Sequence, residues 1–209
     1  MITSIGMTAA LAWPNAANAE PKRSGGQAEL VVGGSACIPA DGECRSDDGK
    51  SGASGALGID LGWRAHKVFF LGAGYTVGWL NPTWELNGQD VYRNAFQQGV
   101  FGVLRVYIPI WRIDIGFELS PGWSRQTFAA AGGRRDRDYS QGFALRPGAS
   151  IDFRLGRHLF VGGRIDFLIN FHNRLCSIQG DQRDCSRELD IRQLPIHQVL
   201  AGVHIGANF

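Results

Sequence analysis

Residues Trp111, Arg112, Ile113, Asp114, Ile115, Gly116, Phe117, Glu118, Leu119 and Ser120 alternate without a break. Every odd position is a large apolar side chain and every even one is small or charged. Successive side chains of an extended chain point to opposite faces, so this stretch reads as a strand with one apolar and one polar face. A helix, turning every 3.6 residues, would scatter the five apolar residues around its circumference.

The same period of two recurs along the chain. It runs through Leu57, Ile59, Leu61 and Trp63, and then through Phe69, Leu71, Ala73, Tyr75, Val77 and Trp79. It returns at Phe143–Phe153, Leu159–Phe171 and Val199–Phe209, with weaker runs at Gln27–Ala36 and Gln97–Pro109. The segments between them differ in kind. Ala65-His66-Lys67, the neighbours of Pro109 and Leu155-Gly156-Arg157 are tight turns, whereas Cys37–Ala53, Asn81–Ala95, Phe128–Asp138 and Asn173–Asp190 are long and polar. Short and long connections alternate, which gathers the long loops at one end. The pattern predicts an all-β fold: an eight-stranded antiparallel up-and-down β-barrel with both termini at the short-turn end.

Such a barrel can turn either face outward. The polar face is mostly Gly, Ala and Ser, interrupted by Asp60, Arg64, Arg105, Asp114, Glu118, Arg146, Asp152, Arg164 and Asp166. Its bases are all arginine, which forks onto carboxylates where desolvation makes an unpaired charge costly. The apolar face carries aromatics toward its two ends: Trp63, Phe69, Trp111 and Phe153 by the short turns, and Trp79, Phe96, Trp123, Phe143 and Phe171 by the long loops. Strands of about ten residues fit a tilted membrane crossing. These features predict a transmembrane barrel with the apolar face outward in lipid and the polar face inward. A lumen of eight strands is only wide enough for side chains. Asp60, Arg105, Asp114, Glu118, Arg146, Asp152, Arg164 and Asp166 are therefore expected to form an ion-pair network that plugs it. Glycine, 29 residues of 209 and about twice the usual share, suits the inner face of so narrow a barrel.

Composition excludes several other classes. A net charge of +2 with no long basic run excludes a strongly basic nucleic-acid binder, and 44% hydrophobic residues exclude wholesale disorder. No stretch of 18 apolar residues is present, which excludes a polytopic helical membrane protein. Residues 1–19 read as an export signal: an apolar core from Ile5 to Trp13 precedes Ala17-Asn18-Ala19, spaced as signal peptidase requires. No Lys or Arg precedes that core, a departure from the usual pattern. Residues 20–209 are then a single barrel domain. Export favours disulfides among Cys37, Cys44, Cys176 and Cys185. Three connectivities are possible, the simplest being 37–44 with 176–185.

In these features the chain resembles small outer-membrane barrels of the OmpA transmembrane-domain and OmpX kind, over about Gln27–Phe209. The resemblance is architectural. It implies periplasmic short turns, extracellular long loops, and a place in the outer membrane of a Gram-negative-type cell, amid lipid and lipopolysaccharide; a monomer is expected, although the sequence itself does not fix the oligomeric state. It also implies that Phe209, closing the alternation Val203, Ile205, Ala207, is read by the barrel-assembly machinery. Arg134, Arg135 and Arg137 would then lie near lipopolysaccharide phosphates, although a charged loop is more often just a solvated face.

The expected role is structural, or adhesion and recognition through the extracellular loops. Two alternatives stand beside it. Some barrels of this size modify lipid A with a serine and a histidine, but none of His66, His158, His172, His197 and His204 sits in an H-x-S arrangement. His172 with Ser120 or Ser124 and Glu118 is the one conceivable triad, across strands that are not neighbours. The second alternative is a small-solute pore. No catalytic residue, metal ligand or cofactor is assigned; Asp41, Glu43, Asp47 and Asp48 match no calcium loop.

Overall fold

The computed structural model describes residues 22–38, 45–46, 49–86, 89–90, 92–131, 136–186 and 196–209. The expected export signal, Cys44, Arg134, Arg135 and the acidic group Asp41, Glu43, Asp47 and Asp48 lie outside these residues. Eight strands build the wall: β1 (Gly25–Cys37), β2 (Ser54–Ala65), β3 (Phe69–Leu86), β4 (Tyr92–Ile110), β5 (Ile113–Ala130), β6 (Arg137–Arg154), β7 (Leu159–Gln179) and β8 (Gln198–Asn208). Each pairs antiparallel with the next. β8 returns to β1, from Gln27 opposite Asn208 to Cys37 opposite Gln198, so the eight-stranded wall closes on itself. Short segments extend one end: Gly49–Gly52 adds to β3, and Gln182–Ser186 folds back on β7.

The turns are as tight as the sequence predicts. His66 and Lys67 both take positive φ, 49° and 65°, and Val68 N donates to Ala65 O at 3.2 Å. Such a two-residue hairpin matches the right-handed twist of its strands. The β4–β5 turn is Trp111-Arg112, with Trp111 at φ 50° and almost wholly exposed. Trp111 is thus a turn residue of the girdle, not the first residue of a strand.

The apolar face is outside. Leu57, Ile59, Leu61, Leu71, Val100, Leu104, Phe117, Ile151, Ile165, Val203 and Ile205 are exposed to the surroundings. So are Trp63, Phe69, Trp111 and Phe153 at one end and Trp79, Trp123, Phe143 and Phe171 at the other. Phe69 and Trp79 lie ten residues apart, as do Phe143 and Phe153. That is about 33 Å along a strand and roughly 25 Å along the normal at a tilt near 40°, the height of an outer-membrane apolar band. An exposed hydrophobic surface of this extent belongs in lipid.

One expectation is corrected. The strands do not stop at the outer girdle: β3, β5 and β6 are 18 residues long, β4 is 19 and β7 is 21. Much of what reads as loop at 81–95, 128–138 and 173–190 is strand. Beyond lipid both faces of the wall meet water, so no apolar alternation betrays it. Inside, rings fill space beside glycines. The Phe101 ring lies where a Cβ on Gly99 or Gly122 would stand, and Phe101 packs with Ala144 and Leu168.

Candidate functional site

The lumen is packed in three storeys. The lowest, at the short-turn end, centres on Asp114 of β5. Its Oδ1 accepts from Arg23 Nε at 2.9 Å, and its Oδ2 from Arg64 Nη1 at 2.8 Å and Arg154 Nη2 at 2.6 Å. Arg64 also donates to Lys67 O at 3.0 and 2.6 Å, tying the cluster to the β2–β3 turn. Arg154 reaches Asn208 Oδ1, and Arg23 reaches Trp111 O.

The middle storey holds three arginines and four carboxylates. Arg105 donates to Glu118 Oε2 at 3.0 and 2.7 Å, to Glu29 at 2.7 Å and to Asp60 at 3.0 Å. Arg146 spans Asp60 (3.1 Å) and Glu118 (2.8 Å). Arg164 meets both oxygens of Glu118 at 2.8 and 2.9 Å and Asp166 at 2.9 Å, and it also pairs with Asp60. Every one of these side chains is buried. Two glycines make room: a Cβ on Gly74 would collide with Asp60 Oδ1, and one on Gly148 with Asp166 Oδ1. The space left beside Asp60, Arg146, Arg164 and Asp166 is about 20 Å³, room for about one water.

Asp114 and Asp152 are therefore not partners of Arg105, Arg146 and Arg164. The expected single network is divided, and the reason is height. Asp114 stands four residues below Glu118 on β5, about 13 Å of strand and roughly 10 Å of height, and Asp152 six residues below Arg146 on β6, about 20 Å of strand and roughly 15 Å of height, beyond the reach of a guanidinium. Asp152 instead meets His204 Nε2 at 2.8 Å, and Glu29 lies 3.9 Å from His204 Nδ1. The sequence reading missed Glu29, Arg154 and Arg23 as partners. Glu29 and Arg154 do sit at inward positions of their strands, a usable signal. Arg23 precedes β1, where no alternation marks it.

The upper storey is built from a histidine, serines and side-chain amides. His172 Nε2 lies 2.8 Å from Ser124 Oγ, and its Nδ1 lies 2.8 Å from Ser140 Oγ. Gln97 donates to Asn170 Oδ1 at 2.7 Å, and Gln126 to Gln97 Oε1 at 2.9 Å. The segment entering β8 closes over them: Ile196 O accepts from Gln126 at 2.5 Å and Asn170 at 2.6 Å. Ser124 and His172 do meet, across the intervening β6, but the triad with Glu118 is not formed. A hydroxyl, not a carboxylate, faces the second ring nitrogen. Glu118 is held by the three arginines one storey below, where Ser120 also bonds it at 2.5 Å.

Outside the lumen, Cys176 and Cys185 form a disulfide, the two strand segments being paired at that point. Cys37 is also disulfide-bonded. Arg137 is exposed on β6, opposite Ala129 and Ile178. Phe209 is exposed, with its N–H donated to Gly26 O at 2.9 Å.

A closed barrel of eight antiparallel strands, apolar outside and filled with paired polar groups inside, has the fold of the small outer-membrane β-barrel proteins. No family model and no curated protein matches the chain. Solved structures do. Neisserial surface protein A (NspA) is 8% identical with a TM-score of 0.54, over 90% of this chain and 98% of its own. The outer membrane protein OprG from Pseudomonas aeruginosa is 10% identical with a TM-score of 0.56, over 91% and 99%. A major outer membrane protein from Thermus thermophilus is 11% identical with a TM-score of 0.54, over 88% and 99%. At these identities the likeness is one of fold.

Proposed function

We propose that this chain resides in the outer membrane and serves a structural, adhesive or recognition role through the part of its wall that rises beyond the outer girdle. One contrast carries the reading. The lumen is filled from Arg23 to Ile196, while β3–β7 run for 18 to 21 residues where about ten suffice to cross a bilayer. The added length builds a surface, not a passage. In this reading residues 1–19 direct export and are removed, and residues 20–209 are one domain. The barrel-assembly machinery inserts it through β8 and Phe209. It acts as a monomer, and Arg134, Arg135 and Arg137 face lipopolysaccharide.

The test compares cells carrying the native barrel, cells carrying one in which residues 177–184 are replaced by a two-residue turn, and cells with neither. Heat-modifiable migration in SDS gels establishes equal amounts of folded barrel. Shortening the hairpin is expected to lower surface adhesion or detergent resistance toward the level of the empty cells. Indifference of both properties to the chain, combined with steady single-channel conductance or an altered lipid A mass, would replace this role by a pore or an enzyme.

A further inference from the structure

The outward face of β5–β7, just above the outer girdle, is ordered in rows by cross-strand register. Trp123 stands opposite Phe143, and Phe143 opposite Phe171, with the two phenyl rings 5.8 Å apart. The next outward row is Arg125, Gln141 and Arg174. An irregularity between His172 and Arg174 adds Asn173 to β7 and keeps Arg174 in that row. Above it come Tyr139 with the Cys176–Cys185 disulfide, and then Arg137 with Arg183 across from Ile178. Successive rows are about 7 Å apart along the strands.

Ring and sulfur contacts hold two of these arginines, Arg125 and Arg183, in place without neutralising them. Arg125 lies 3.7 Å from the centre of the Tyr139 ring, and Arg183 lies 5.5 Å from it. Arg183 Nε also donates to Cys185 Sγ at 3.3 Å, which fixes it to the disulfide. Among the described residues, none of Arg125, Arg137, Arg174 and Arg183 has a carboxylate at ion-pair distance. The Nε of Arg125 is buried without a hydrogen-bond partner. Burial pushes the Arg125 guanidinium below its usual range; Tyr139 opposes that, and the charges of Arg137 and Arg183 add to it. Beside this group an open groove of roughly 640 Å³ runs between Trp123, Phe143, Asn173 and Arg174. An aromatic row below, guanidiniums above that have no ion-pair carboxylate among the described residues, and a groove between them match a molecule with acyl chains, a sugar and phosphates.

We propose that this face binds the phosphorylated headgroup of an outer-leaflet glycolipid, with its acyl chains along Trp123, Phe143 and Phe171 and its phosphates on the arginines above. The proposal rests on this end of the barrel facing the cell exterior. Arg125 and Arg174 form the first row of contacts, and Arg137 and Arg183 reach phosphates farther from the bilayer.

The test uses the full folded barrel in detergent, with bisphosphorylated lipid A as the probe. Binding is read by native mass spectrometry and by the fluorescence of the girdle tryptophans. The comparisons are a phosphatase-treated lipid A, millimolar inorganic phosphate as competitor, and the triple variant R137Q/R174Q/R183Q, whose three side chains are exposed. The native barrel is expected to bind the phosphorylated lipid at least about tenfold tighter than the dephosphorylated one. The triple variant loses that preference, and free phosphate fails to displace the lipid. Equal binding of the two lipids, or a preference unchanged in the variant, overturns the site. Displacement by inorganic phosphate overturns the glycolipid assignment in favour of a simple anion site. Protease cleavage at Arg183 on intact cells reports the orientation separately. Cleavage without lipid preference refutes the lipid site alone, and cleavage confined to periplasm-accessible preparations refutes the reading beneath it.

Discussion

The arginines inside the barrel and those on its outer wall obey opposite rules. Among the described residues, Arg23, Arg64, Arg105, Arg146, Arg154 and Arg164 of the lumen each lie within ion-pair distance of at least one carboxylate. Arg125, Arg137, Arg174 and Arg183, above the outer girdle, have none. The difference is one of surroundings. A guanidinium buried in the packed lumen has little room for water to solvate it, and leaving it unpaired costs several kcal/mol. At the edge of the bilayer water is at hand for the exposed Arg137, Arg174 and Arg183, so an arginine needs no carboxylate there. The inner set ties neighbouring strands together through shared carboxylates, and the proposed glycolipid site draws on the outer set alone.

The sharpest way to break this comparison is to delete an inner arginine. Arg164→Ala removes the group that Glu29, Asp60, Glu118 and Asp166 share. The expected loss is about 3–5 kcal/mol, read as a lowered urea midpoint and a lower temperature at which the compact SDS-gel band disappears. A midpoint equal to the native one would mean that the lumen is wet enough to solvate its own charges. A smaller loss, about 1–3 kcal/mol, is expected for Gly74→Ala, because the new Cβ pushes Asp60 away from Arg146. Gly163→Ala is the control: nothing lies closer than 4.0 Å to a Cβ there, and its midpoint should stay within about 0.5 kcal/mol of native.

The upper storey of histidine, serines and side-chain amides separates the effect of charge from that of burial. Ser124→Ala leaves one nitrogen of the buried His172 without its partner at 2.8 Å, at a cost of about 1–2 kcal/mol. The change should reach stability only, with lipid A of unaltered mass in cells carrying either form. Loss of a lipid A modification on this substitution would show that the Ser124–His172 contact performs chemistry.

How much of this was legible in the sequence follows from the same physics. Alternation depends on one face meeting lipid, so the strands between the girdles can be read directly, and with them the inward parity of Asp60, Arg105, Glu118, Arg146, Arg164 and Asp166. Parity gives a side but not a height. The partners of Asp114 are Arg23, Arg64 and Arg154, and that of Asp152 is His204, because the stagger of tilted strands decides which side chains share a level. No single strand contains that stagger. The pattern also fades where lipid ends: Arg137, Asp138, Tyr139, Ser140 and Gln141 are strand residues with a single aromatic, Tyr139, and no apolar alternation to mark them. The rows of the outer wall are invisible for the same reason, since they exist only across β5, β6 and β7. The His172/Arg174 irregularity, which shifts the register by one, leaves no trace in residue type.

The smallest expected change in stability belongs to the outer set, and there it discriminates most. Arg137→Gln and Arg174→Gln alter exposed side chains that have no carboxylate partner among the described residues. The urea midpoint should therefore stay within about 0.5 kcal/mol of native, as for surface positions in general. Were these arginines part of the same electrostatic framework as Arg164, their removal would lower the midpoint measurably. Were they ordinary solvated charges, it would change neither the midpoint nor the affinity for phosphorylated lipid. Only a ligand site yields an unaltered barrel that has lost a binding preference, and that preference should weaken as salt screens the exposed guanidiniums. Salt at the same concentrations should leave the buried pairs of the lumen almost untouched, because ions do not reach them. Measuring both responses on one protein sets the two kinds of arginine against each other under a single variable.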